Sequence, residues 1–202
     1  MNSPTPPRLR VTAETGPDAL VAFIFGTAAA VPSAVDCGLL AGPPVEAWCG
    51  NGHYAVRVVE ETETGGDIEA ATARAYARLL AEVRPSTHPY LIRIWNYFAA
   101  INEGEGDQER YRRFCVGRAG AVDGMFNQPP PAATAIGSDG VPGRLQVVAL
   151  CSKSPGIALE NPRQTPAWRY PREHGPVSPG FSRGAVLDGD TVRPRLLASG
   201  TA

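Results

Sequence analysis

Glycine and proline interrupt this sequence so often that long regular elements are excluded before any other feature is weighed. The 202 residues include 22 glycines and 20 prolines, about one residue in five against roughly one in eight in an average chain. Each proline fixes φ and removes a backbone donor, and each glycine costs backbone entropy inside a helix or strand. The chain must therefore fold into short elements joined by many turns, not into a helical bundle or coiled coil. Its 43% apolar and 19% charged residues still supply the material for a real core.

The formal charge of −1 and a pI near 6.3 provide no field that would recruit nucleic acid or an acidic membrane. Eighteen of the 19 basic residues are arginine, Lys153 being the exception, and planar guanidinium forks suit carboxylates. The opening MNSPTPPRLRV has neither the charged nor the apolar region of a secretion signal. The most apolar run, residues 19–31, is too short to span a bilayer. Cys37, Cys49, Cys115 and Cys151 are scattered without a CxxC, and the three histidines stand apart, so no metal-ligand spacing is present. These features predict a cytoplasmic protein with reduced, buried thiols and no zinc site.

Residues 8–12 and 20–27 read as the first two strands, and residues 45–49 and 54–60 as a hairpin across Gly50-Asn51-Gly52. Asp67 opens the best helix, whose Ile68, Ala71, Ala75, Tyr76, Leu79, Leu80 and Val83 recur at helical spacing before Pro85 stops it. YLIRIWNY at 90–97 is a strand by its aromatic and β-branched content, and alternation puts Leu91, Arg93, Trp95 and Tyr97 on one face. A second helix is expected over 106–122 with Asp107 as N-cap. Short strands at 134–136 and 145–150 flank the turn Ser138-Asp139-Gly140. The proline-studded stretch 154–179 reads as a loop, and strands at 181–187 and 193–199 flank Asp188-Gly189-Asp190. The sum is an α+β fold, a mainly antiparallel mixed sheet packed by two principal helices.

Two segments carry chemistry. In ERYRRFCVGR, Tyr111 and Arg118 are seven residues apart and project within about 20° of each other on a helix. They read either as a helix with an aromatic core face and a solvated arginine at its end, or as a phenol and guanidinium gripping a carboxylate together. In WRYPREHGPVSPGFSR, a stiff loop holds Tyr170 and delivers Arg183. That segment is either a surface connection or a second Tyr/Arg pair, and two such pairs would fit a ligand with two anionic groups. His174 reads as a solvated loop residue rather than a base. Asn96 is equally a buried hydrogen-bonding residue or a ligand contact. No HExxH or GxGxxG occurs.

The strings YLIRIWNYFAAIN (90–102), ERYRRFCVGRAGA (109–121), ENPRQTPAWRYPREHGPVSPGFSRG (160–184) and LLASGTA (196–202) resemble the chorismatases, in the family's order and over more than half of the chain. The resemblance implies the N-terminal half of a YjgF-like tandem architecture, with the site between two halves. Residues 1–184 would form the N-terminal domain, and 185–202 strands leading into a second, catalytic domain. It further implies cofactor-free cleavage of the enolpyruvyl ether of chorismate, releasing pyruvate and a dihydroxycyclohexadienoate or a hydroxybenzoate. The family's substrate contacts fall on Tyr111, Arg118, Tyr170 and Arg183. The family's catalytic glutamic acid belongs to the second half, so none of the glutamates here is nominated. The expected partners are chorismate and that C-terminal half. The alternative expectation is a non-catalytic binding or oligomerising module that pairs through an unpaired edge strand near 196–199.

Overall fold

The computed structural model of the chain describes residues 47–50, 54–122, 126, 129–138, 142–187 and 194–200. The strands expected at 8–12 and 20–27, Cys37, and the turn residues 51–52, 139–140 and 188–190 lie outside these. The first described strands, β1 (Ala47–Gly50) and β2 (Tyr54–Thr62), form the expected antiparallel hairpin. β2 is buried on both faces from Tyr54 to Glu60, which is why its apolar residues run together rather than alternate.

The first helix, α1 (Ile68–Val83), begins where expected, because the Asp67 side chain accepts a hydrogen bond from the Ala70 amide at 3.2 Å. Its predicted apolar stripe is buried from Ile68 to Val83. There follow β3 (Tyr90–Ala99), α2 (Arg110–Ala121), β4 (Ala132–Ser138) and β5 (Arg144–Ser152). The sheet order is β1-β2-β5-β3-β4. β5 lies between β2 and β3, antiparallel to both. β4 is parallel to β3, with α2 as the crossover that a parallel pair requires. β4 and β5, although the sequence predicts a turn between them, do not pair with each other.

The structure corrects two local expectations. A bulge between Leu91 and Arg93 breaks the alternation of β3. It sends Leu91 to the helix-covered face with Ile94 and Phe98, whereas Trp95 and Tyr97 stay on the other. The second helix also starts later than expected. Residues Gly106–Gln108 form a separate 3-10 turn and Glu109 takes the N-cap position. Asp107 is therefore not the cap; its carboxylate pairs with Arg172.

Both helices cover one face of the sheet. Their contact is backbone-close at Gly117, where a β-carbon would stand 2.1 Å from the Glu69 carbonyl oxygen. The entry of α2 is fixed by Arg110, whose Nη2 meets Glu63 Oε2 at 2.7 Å while Nε donates to the Ala99 carbonyl at 3.2 Å. A smaller antiparallel sheet, β6 (Ile157–Leu159), β7 (Gly184–Leu187) and β8 (Arg195–Ala198), lies on the opposite face through Ala185, Leu187 and Leu197. β6 arises inside the stretch expected to be loop, being too short to show a period. Among the described residues the fold is α+β with two α-helices and predominantly antiparallel sheets, as the sequence predicts.

Candidate functional site

The cross-over helix α2 delivers the first pair. Its turns carry Tyr111, Phe114 and Arg118 along one side, and all three line a cavity of about 340 Å³ beside β4. Tyr170 and His174 enter the same cavity from the proline-stiffened loop, and Gly200 closes it from the far end of the described chain. Three of the four sequence-predicted residues thus converge. The fourth, Arg183, stands behind the wall: its Nη2 donates to the Tyr170 hydroxyl at 3.0 Å and to the Thr165 carbonyl at 3.2 Å.

Arg118 is the least ordinary group in the cavity wall. It is only 4% exposed, and its guanidinium lies over the rings of Phe114 and Tyr76, at 5.5 and 5.9 Å from their centroids. Burial opposes its charge, and its pKa is nevertheless raised because Tyr76, Cys115 and Tyr111 beside it, once ionised at alkaline pH, would hold the proton on. Those neighbours are neutral near pH 7. Burial raises the pKa of Tyr76, of Tyr111 and of Cys115. No carboxylate among the described residues forms an ion pair with Arg118, in contrast to Arg57, Arg110 and Arg113. A buried cation without an anion is costly unless a ligand supplies one.

Arg183 is held differently. Glu160 Oε1 accepts its backbone N–H at 2.9 Å, and Glu160 Oε2 lies 3.9 Å from its Nε. The two arginines therefore differ in kind, one charge-neutralised and the other open toward the cavity. A further cavity of about 340 Å³, lined by Pro89, Pro130, Pro155 and their neighbours, has no charged side chain and offers an anion nothing.

The sequence reading missed several members of this site. His174 is exposed, as a loop histidine is expected to be, and its ring also lines the cavity 5.0 Å from that of Tyr170. Thr134 and Gly200 meet at the cavity rim, the Gly200 amide donating to Thr134 Oγ1 at 2.7 Å. The neighbouring Ser199 hydroxyl accepts from the Ala133 amide at 3.0 Å, so the Ser-Gly of the last motif fastens the chain to β4. The motif itself carries that signal, since a β-carbon at Gly200 would stand 2.8 Å from Thr134 Cγ2. Asn96, left open between two roles, is buried and bound to Tyr76.

Comparison with known proteins bears on this geometry. Residues 44–151, which carry β2, both helices and the Tyr111/Arg118 pair, match the model of the N-terminal region of FkbO/Hyg5-like chorismatases. The chain belongs to this family. A chorismatase from Streptomyces hygroscopicus is 36% identical over 200 residues, covering 97% of this chain and 55% of that protein. A 3-hydroxybenzoate synthase from the same organism is 37% identical over 145 residues, covering 68% and 42%. A chorismatase crystal structure superposes with a TM-score of 0.67 at 36% identity, covering 80% of this chain and 48% of that one. The chain spans about half the length of the relatives it matches. No helix among the described residues is long and apolar enough to cross a membrane.

Proposed function

We propose that this chain is the N-terminal, substrate-binding half of a chorismate-transforming enzyme. The observation that carries the reading is Arg118, a buried guanidinium without a carboxylate partner among the described residues, aimed with Tyr111 into a ligand-sized cavity. Chorismate is a dianion with a ring carboxylate and an enolpyruvyl carboxylate. Arg118 takes one carboxylate as a charge-assisted fork, and Tyr111 adds a hydrogen bond. Tyr170 and Arg183 meet the other, with Arg183 acting from behind the Tyr170 hydroxyl. Residues 1–184 form the binding domain and 185–202 lead into a second domain in this reading, which places the protein in the cytoplasm and needs no cofactor.

The chemistry follows from how the ligand is pinned. With both carboxylates held, the enol ether has a single orientation toward a general acid, a glutamic acid of the second half. Protonation of the enolpyruvyl methylene gives an oxocarbenium ion, water adds to it with loss of a proton, and the resulting hemiketal expels the ring alcohol to leave pyruvate. The residues of this chain contribute binding and orientation before the chemical step. The acid itself lies outside these 202 residues.

The test is pyruvate release from chorismate, followed by coupling to lactate dehydrogenase. The expected result is no release by the 202-residue chain alone and turnover when a family C-terminal half is added. A folded chain that neither binds chorismate nor turns over on complementation would overturn the reading in favour of a binding or assembly module.

A further inference from the structure

Two donors converge on the hydroxyl of Thr134. Arg93 Nη2 donates to its Oγ1, and the Gly200 amide donates to the same oxygen at 2.7 Å. Neither group can accept, so both lone pairs of the oxygen are taken and its own proton must point in the one direction left. Among the described residues no acceptor receives that proton. Thr134 and Gly200 both line the cavity that holds Tyr111, Arg118 and Tyr170. The approach of the Gly200 amide depends on the missing side chain, since a β-carbon there would stand 2.8 Å from Thr134 Cγ2.

Arg93 reaches this hydroxyl but does not line the cavity. It is 4% exposed, with its guanidinium 5.0 Å from the centroid of the Trp95 ring and its Nη1 donating to the Ile94 carbonyl at 3.0 Å. No carboxylate among the described residues pairs with it, and burial lowers its pKa only to about 10, so it stays charged near pH 7. A cation bound to a hydroxyl oxygen makes the hydroxyl proton a stronger donor. Arg183 stands in the same relation to the Tyr170 hydroxyl at the same cavity.

We propose that Thr134 is a further ligand-binding residue, donating its hydroxyl proton to an oxygen of an anionic ligand, and that Arg93 is its positioning residue. This inference rests on the reading of the cavity as a site for such a ligand. It gives that ligand a third hydroxyl donor beside Tyr111 and Tyr170, carried by the strand β4 and not by a loop.

The experiment titrates chorismate calorimetrically into the wild-type chain, Thr134→Ser, Thr134→Val, Arg93→Met and the double variant Arg93→Met/Thr134→Val. Thr134→Ser keeps the hydroxyl and is expected to bind within about twofold of the wild type. Thr134→Val should bind about tenfold more weakly and Arg93→Met about threefold more weakly, with the double variant no weaker than Thr134→Val. Should Thr134→Val strand the buried cation and fail to fold, the double variant is compared with Arg93→Met instead. A hydroxyl that only clamps the chain would lower the melting temperature of the valine variants and leave their affinity in place, and that result would overturn the proposal. So would additive losses, which would separate Arg93 from Thr134. Neutron diffraction from the ligand-free, deuterium-exchanged chain locates the hydroxyl deuterium directly, and it is expected to point into the cavity. Absence of wild-type chorismate binding would count against the functional reading. The deuterium then still decides the geometry, and one pointing to a protein acceptor would overturn it.

Discussion

The Tyr170 hydroxyl accepts a hydrogen bond from Arg183 Nη2 at 3.0 Å, and this one contact fixes what each residue can offer a ligand. A phenol whose oxygen is occupied by a cation keeps its proton for another acceptor, and the cavity lies on that side. Tyr170 is thereby a polarised donor and Arg183 the group that polarises it. The pair should behave as a unit. Tyr170→Phe and Arg183→Ala are each expected to weaken chorismate binding about tenfold, and the double variant to lose little more than either alone. Additive losses measured by calorimetry would show that the two act separately.

Arg118 predicts an opposition between binding and stability. Arg118→Met preserves the length and the apolar stem over Phe114 and Tyr76 but removes a buried charge with no ion pair. Chorismate affinity should fall by about thirtyfold or more. The ligand-free chain should melt about 2–4 °C higher, equivalent to roughly 1 kcal/mol. A lower melting temperature, seen by scanning calorimetry, would mean that the charge is already compensated.

The Arg110–Glu63 pair should be the costliest ion pair to break. Its members are nearly buried, with the guanidinium also tied to the Ala99 and Gly66 carbonyls. Glu63→Leu leaves an unpaired buried cation and is expected to cost about 3 kcal/mol in urea unfolding. A loss below about 1 kcal/mol would show that the pair is not what docks α2.

Gly117 sets the distance between the helices. An alanine there would place its β-carbon 2.1 Å from Glu69 O and 3.0 Å from Thr72 Cβ, so the helices must separate. Gly117→Ala should cost about 3 kcal/mol and displace Arg118, its immediate neighbour. Native stability with unimpaired binding would show that α2 can slide without consequence.

Alkaline pH should weaken the fold. Burial holds the Cys151 thiol up to about 12 and also raises the pKa of Cys115, Tyr76 and Tyr111. Groups with raised folded pKa values keep their protons in the native state while the unfolded chain releases them. Their contribution is therefore complete below the unfolded thiol pKa near 9 and declines as pH rises above it. Arg93 acts in the opposite sense, because burial lowers its pKa to about 10, but its effect grows only above that value. Urea midpoints should stay level from pH 7 to 8 and fall between pH 9 and 10. A midpoint that rises over that last interval would contradict these assignments.

Much of this was legible in the sequence because it rests on local patterns. The α1 stripe with its Asp67 cap follows from spacing and one capping residue. So does the placement of Tyr111 and Arg118 on one side of α2, since seven residues nearly complete two turns. What was illegible depends on pairing between distant segments. The bulge at Leu91 arises where β3 meets β5, and nothing in YLIRIWNY marks it. β6 is three residues whose pairing with β7 is set across some twenty-five residues of chain. Asp107 looked like a cap because its partner, Arg172, is 65 positions away. Tyr76 was absorbed into the apolar stripe since its ring does pack there, and its hydroxyl finds its partner only when Asn96 arrives from β3. His174 entered the cavity through the path of a loop, which composition does not encode.

The most direct measurement is a crystal structure of the chain with chorismate bound. The account predicts a ligand carboxylate within about 3 Å of the Arg118 guanidinium, with Tyr111 and Tyr170 on the same molecule and the Tyr76–Asn96 contact unchanged. Chorismate bound in the proline-lined cavity, or Arg118 turned away from the ligand, would contradict it.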